Sequence, residues 1–248
     1  MTFRACYVDG VIEYVRMLFA RHKMGKISFD ANDDISILSA NNANVIFSTK
    51  NGGTSATFAG TAVDDSRYFA VYPYNPNLIL EGNIIYGVKI PSIQVCGEWG
   101  ANNYNNVERG GWDTKAPIAL AVGKMGSVFH FKNLCAILKV NLEEDCEPWT
   151  ITIRANELLT GIFDLNADTG KLSVVIGYNY VSTGISKNIW TFGKRHIYLA
   201  IAPGTYTNFR LSAKVDIGGE KANISLSTVT FESGEIYDFG TFSDKILQ

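Results

Sequence analysis

The chain has 248 residues, with 22 Lys plus Arg against 24 Asp plus Glu and a formal net charge of −2; it lacks the basic excess of a nucleic-acid binder or of a basic membrane-surface patch. Hydrophobic residues make up 46%, ordinary for a globular protein with a real core, and no apolar run reaches the roughly 20 residues of a transmembrane helix. The length suits one large β domain or two domains of about 100–150 residues.

Residues 1–26, "MTFRACYVDGVIEYVRMLFARHKMGK", have the length of a signal peptide, but Glu13 and Arg16 interrupt the apolar part and no small-residue cleavage site follows. Cys6 is a poor lipid-anchor cysteine, with Arg4 close by and no apolar segment before it. Val11, Tyr14, Val15 and Leu18 share one face at helical spacing, and a strand reading of residues 11–20 fits about as well. From residue 27 the period is two. "DISIL" (34–38), "NVIFST" (44–49), "SATFAGTAV" (55–63), "YFAVYPY" (68–74) and "NIIYGVKIPSIQV" (83–95) are short β-branched and aromatic runs separated by Asn, Gly and Asp clusters, with Pro91 marking a strand end. The stretch "GEWGANNYNNVERGGWDTKA" (97–116) breaks the pattern and reads as a long loop or linker, so a domain boundary is expected at its far end.

Strands then resume at 127–133, 135–143, 149–156, 159–166, 171–178, 196–203, 209–217, 221–231 and 235–240. "NADTGK" (166–171), "IGGEK" (217–221) and "ESGE" (232–235) are turns, with Gly170 where a bulged hairpin needs positive φ. No βαβ alternation occurs, so a parallel α/β sheet is not expected. One six-residue pattern is written twice, as "YFAVYP" (68–73) and "YLAIAP" (198–203). Both faces of each strand are apolar, so each is expected to be central and covered on both sides, with proline ending the pairing. One such strand in each half suggests two similar β-sandwiches in tandem.

Candidate chemistry is sparse. Cys6, Cys96, Cys135 and Cys146 show neither C-x-x-C nor zinc-type spacing. Cys135, inside "FKNLCAILKV", reads as a small buried hydrophobe, with a disulfide to Cys146 as the alternative. His22, His130 and His196 have no metal-ligand partner at a suitable interval. Asp164, Asn166 and Asp168 open like a calcium loop, but Thr169 stands where Gly is needed and Val175 where the closing acid is needed, so a polar hairpin turn is expected. Asp33–Asp34 and Asp64–Asp65 are adjacent pairs whose side chains face opposite ways on a strand. There is no nucleophile elbow, phosphate loop or dinucleotide fingerprint, and nothing calls for a cofactor or metal. The Gly/Asn loop is the exception. Trp99, Tyr104 and Trp112 stand among Asn102, Asn103, Asn105 and Asn106, a set of aromatic faces and amides that suits a sugar ring or a partner strand. The alternative is that the tryptophans plug the domain junction.

The ordered set "GTSATFAGTA", "YFAVYPYN", "IPSIQ", "VFHFKNLCAILKVNL", "ITIRANELLTGIFDLN", "YLAIAPGTYTNFRLSAKV" and "VTFESGEIYDFG" resembles the fimbrillin-like (type V pilin) family of Bacteroidetes, from about residue 27 to 240. The resemblance implies an all-β protein of two tandem transthyretin-like, Greek-key-type β-sandwiches: residues 1–26 an atypical N-terminal segment, 27–116 an N-terminal sandwich ending in the Gly/Asn-rich loop, and 117–248 a C-terminal sandwich. It further implies a non-catalytic lipoprotein on the outer membrane, serving as a subunit of a fimbria (pilus) in cell adhesion and polymerising by strand exchange. The partners implied are other fimbrial subunits, in a head-to-tail homo- or hetero-polymer, and a host or bacterial surface glycan or protein. A surface glycan- or host-binding module that never polymerises, using the 97–116 loop, is the alternative.

Overall fold

The computed structural model of the chain describes residues 2–7, 20–23, 29–96, 111–113, 115–124, 126–142, 150–185, 196–214 and 220–242. These form 21 β-strands and no helix. The first nine are β1 (Thr2–Tyr7), β2 (Ala20–Lys23), β3 (Asp34–Ser39), β4 (Asn42–Thr49), β5 (Ser55–Ala59), β6 (Tyr68–Tyr72), β7 (Ile79–Glu81), β8 (Ile84–Ile90) and β9 (Ile93–Cys96). Then come β10 (Gly111–Trp112), β11 (Ala119–Gly123), β12 (Val128–Asn133), β13 (Ala136–Leu142), β14 (Thr150–Arg154), β15 (Thr160–Asn166) and β16 (Lys171–Tyr178). The last five are β17 (Tyr180–Ile185), β18 (His196–Ile201), β19 (Gly204–Lys214), β20 (Glu220–Phe231) and β21 (Glu235–Phe242).

Seven strands close a barrel in the order β1-β12-β11-β6-β3-β4-β5, with β5 pairing back to β1. Alternation fills it: Ala56 and Phe58 of β5, and Phe129 and Phe131 of β12, point inward while their neighbours face solvent. Phe29 sits at the centre, its ring edge-on to Phe58, Tyr72 and Phe131 at 5.1, 5.5 and 5.7 Å. The remaining strands form three open sheets, β10-β18-β13-β21-β2, β20-β19-β14-β17-β9 and β16-β15-β8-β7. The first two face each other across one core, built from Leu138, Val140, Ile151, Ile153, Leu199, Leu211 and Phe231. A second core lies on the other face of the β18 sheet. There Ile137 and Ala200 meet Val88, Ile90, Phe163 and Leu165 of the β8/β15 sheet, together with Leu38, Phe69, Val71 and Leu120 from the outside of the barrel.

The twice-written strand is thereby explained. In β6, Tyr68, Ala70 and Tyr72 fill the barrel while Phe69 and Val71 enter the second core. In β18, Ile197, Leu199 and Ile201 enter the first core while Tyr198, Ala200 and Ala202 enter the second. Each strand is covered on both faces, and both lean on the same middle core.

That shared core goes with strand pairing that crosses residue 116, where a boundary was expected. β11 and β12, beyond it in sequence, complete the barrel of N-terminal strands; β15 pairs with β8, β17 with β9 and β18 with β10. A Gly/Asn-rich run reports weak local strand preference and carries no information about which strands pair across it. Six strands were not anticipated. β1 and β2 lie in a segment of mixed polarity. β7 is three residues long, β10 two, and β11 reads "ALAVG", poor in β-branched residues. β17 follows β16 after the single residue Asn179. Of the helical candidate at 11–20, residues 11–19 lie outside the described residues and Ala20 opens β2. "NADTGK" is a hairpin turn with Gly170 at φ 73°, and "ESGE" has Gly234 at 75°. Gly161 is dictated by crowding: a Cβ there would stand 2.2 Å from the Ile176 carbonyl oxygen, at φ +139°.

Candidate functional site

The barrel has one seam of unusual construction. β1 runs antiparallel to β5, with Thr2 opposite Ala59 and Cys6 opposite Ser55, and parallel to β12, with Arg4 opposite Val128 and Tyr7 opposite Phe131. It is thus a single strand laid between two edges that would otherwise be open. Those edges carry the inward residues Ala56, Phe58, Phe129 and Phe131, so the groove that β1 occupies opens directly onto the aromatic barrel core. Backbone pairing therefore runs along both sides of β1.

The open sheets end in β10 and β2, in β20 and β9, and in β16 and β7. β16 exposes apolar side chains: Val174, Val175, Ile176 and Tyr178 all stand in solvent, Ile176 at 65% exposure. Its pairing with β15 shifts register between Ile162 and Phe163, leaving Val175 as the extra residue of a bulge.

A cleft of about 920 Å³ opens beside the barrel. Its walls come from the turn before β3, the end of β6 with the loop after it, β8, and the segment leading to β11. Asp33 accepts hydrogen bonds from the Asp30 N–H at 2.7 Å and the Tyr72 hydroxyl at 3.2 Å. Asp113 accepts from the backbone N–H groups of Val95 and Lys115, both at 2.9 Å. Asn75 is locked: its N–H donates to Ser36 Oγ at 3.1 Å, its amide to the Gly87 carbonyl at 3.0 Å, and its own carbonyl accepts from the Asn44 amide at 2.6 Å.

Of the three aromatic residues singled out from sequence, Trp99 and Tyr104 lie outside the described residues. Trp112 lies in β10, whose backbone pairs in parallel with β18 at Gly111–Ile197 and Trp112–Tyr198. Asp113, directly after it, borders the cleft. His130 is exposed on β12, and His196 is half-buried with its ring 5.7 Å from that of Tyr198. Asp168 is drawn away from any calcium-loop arrangement: it accepts from the Asn83 amide and pairs with Arg67, and these two contacts, in that order, hold its carboxyl below the ordinary range. Asn166 accepts from the backbone N–H groups of Asp168 and Thr169, which makes the stretch a polar turn. Cys135 is a free thiol rather than half of a disulfide; burial pushes it up to about 12, although the Ile118 N–H donates to its sulfur.

Two contacts that no sequence motif announces join distant strands. Gln94, fully buried, donates to the Ala200 carbonyl at 2.7 Å and accepts from the Ala200 N–H at 2.8 Å. Glu157 accepts from both the backbone N–H and the hydroxyl of Thr207, which together keep its carboxyl below the ordinary range. "ITIRANELL" and "APGTYTNF", two stretches that carried the family resemblance, are therefore in direct contact.

No protein-family model matches the chain, and no curated protein matches it. Among solved structures, a candidate cell adhesion protein from Bacteroides uniformis superposes with a TM-score of 0.56 at 15% identity, covering 98% of this chain and 93% of that one. Another from Bacteroides ovatus gives 0.53 at 16% identity, covering 91% and 86%. The all-β fold described above is shared along nearly the whole chain with these Bacteroides proteins.

Proposed function

We propose that this protein is a non-catalytic structural subunit of a cell-surface fimbria, related to adhesion, that assembles head-to-tail with like subunits by strand exchange. The observation that carries the reading is β1, a single strand bridging two edges of a barrel whose aromatic core lies directly beneath it. A strand supplied by a neighbouring subunit could replace it rung for rung, with inward side chains setting the register. The contact is heterologous, and its repetition without ring closure extends a filament. The fold shared with candidate adhesion proteins and the ordered sequence resemblance both favour this reading. Display as a lipoprotein on the outer membrane belongs to the same proposal, as does a contact role for Trp99, Tyr104 and Trp112 at the subunit or partner surface. Immunogold electron microscopy of native surface material is the test. Filaments labelled along their length by antibody to this chain are expected; strictly monomeric surface display would overturn the proposal.

A further inference from the structure

The cleft beside the barrel has a particular balance of chemistry. Its floor is apolar and belongs to the middle core: Val71, Val88 and Ile118 are buried beneath it. Its walls carry the aromatic ring of Tyr74 and the pyrrolidine rings of Pro73, Pro76 and Pro91. Among the described lining residues, three carboxylates, of Asp33, Asp34 and Asp113, stand with two ammonium groups, of Lys89 and Lys115, so these residues bring no positive excess to attract a phosphate or sulfate.

The wall formed by residues 73–78 has no backbone donors left to give. Pro73 and Pro76 have none. The N–H of Tyr74 donates to the Asp34 carbonyl, that of Asn75 to Ser36 Oγ, that of Asn77 to Asn75 Oδ1 and that of Leu78 to the Asn75 carbonyl. A peptide strand adding along this wall would find no ladder to join, since strand addition depends on unpaired main-chain groups. What does remain uncommitted is side-chain capacity. Among the described residues, the Tyr74 hydroxyl, the Asn77 amide and the Lys89 and Lys115 ammonium groups have no protein partner, and Asp34 uses one carboxylate oxygen, on the Ser48 hydroxyl. The cleft therefore offers mixed donors and acceptors above an apolar floor.

We propose that this cleft is a binding site for a neutral oligosaccharide. A saccharide ring presents a C–H face that suits Tyr74 and the proline rings, and hydroxyl groups that both donate and accept, matching Asp34 and Asn77 as well as Lys89 and Lys115. The volume of about 920 Å³ lies within the usual span of ligand clefts, roughly 300–1,000 Å³. The site is separate from the β1 seam, so it stands whether or not the chain polymerises.

The test uses the full chain on an array of neutral and acidic host and bacterial glycans, followed by calorimetry with the best neutral hit. Tyr74→Ala and Asn77→Ala are each expected to weaken binding at least about ten-fold, and Lys89→Ala by a smaller factor. Thermal unfolding should match the parent for Asn77→Ala and Lys89→Ala, whose altered groups have no protein partners. Tyr74→Phe, which keeps the ring, should retain part of the affinity. No neutral glycan retained above background, retention of acidic glycans alone, or binding unchanged in Tyr74→Ala and Asn77→Ala but abolished by Trp99→Ala would each overturn the assignment.

Discussion

Gln94 performs the work of a missing strand. β10 ends at Trp112, opposite Tyr198, and two residues further along β18 the backbone of Ala200 turns to the Gln94 side chain, which meets it with one donor and one acceptor. A primary amide carries the same pair of groups as a peptide unit, so it can occupy a rung of the ladder from the side. Gln94→Leu leaves both backbone groups of Ala200 buried and unpaired, and is expected to destabilise the fold by about 2–4 kcal/mol, read from the urea unfolding midpoint. The Lys139–Asp238 pair acts differently. Burial alone would raise the Asp238 carboxyl, but the Lys139 hydrogen bond at 2.7 Å, the Gly240 N–H, the Lys139 charge and the Asn141 amide together hold it below its ordinary value. A lowered folded pKa makes the ionised form stabilising at pH above the ordinary aspartate value of about 4, and this contribution is lost as pH falls through the lowered one. Asp238→Asn should therefore cost about 1–2 kcal/mol at neutral pH, and lose less stability than the parent between about pH 5 and pH 2. Denaturant titrations across that range decide it. Neither residue was legible in advance, because a lone Gln or a Lys–Asp pair separated by 99 positions has no local signature.

At the scale of elements, period-two alternation located most strands to within a residue or two, since inward and outward positions differ so clearly in β5 and β12. It failed where a strand is short or built of Ala and Gly, as in β7 and β11. Three tyrosines pin strands to the loops that precede them. The Tyr68 hydroxyl accepts from the Asp65 N–H and donates to the Val63 carbonyl, that of Tyr206 donates to the Ala202 carbonyl, and that of Tyr237 accepts from the Glu232 N–H. β1 has consequences of its own. Removing residues 1–7 leaves β5 and β12 as two open edges flanking the barrel core. The shortened chain is expected to bind a fluorescent peptide with the sequence of residues 1–10, measured by anisotropy, while the intact chain does not. Equal anisotropy for the two chains would rule out a replaceable seam.

Among the described residues the molecule holds three cores, and the middle one is shared. Val71 from β6, Val88 from β8, Phe163 from β15 and Ala200 from β18 all meet there. Sequence reading divided the chain at a conspicuous loop because composition reports local backbone preference, whereas partner choice depends on residues far apart in the chain. The cleft was hidden for the same reason, since its walls come from near residues 33, 74, 89, 113 and 162. A core common to both halves predicts one cooperative unfolding transition, with tryptophan fluorescence and far-UV circular dichroism changing together; two separated transitions would mean that the halves stand independently. The seam strand finally sets how the molecule answers force. Its hydrogen bonds to β5 lie across its length, as antiparallel rungs do. A pull along β1 loads these rungs together, in shear, whereas a sideways pull parts them one at a time. The barrel is therefore built to resist a lengthwise tug and to yield to a peel.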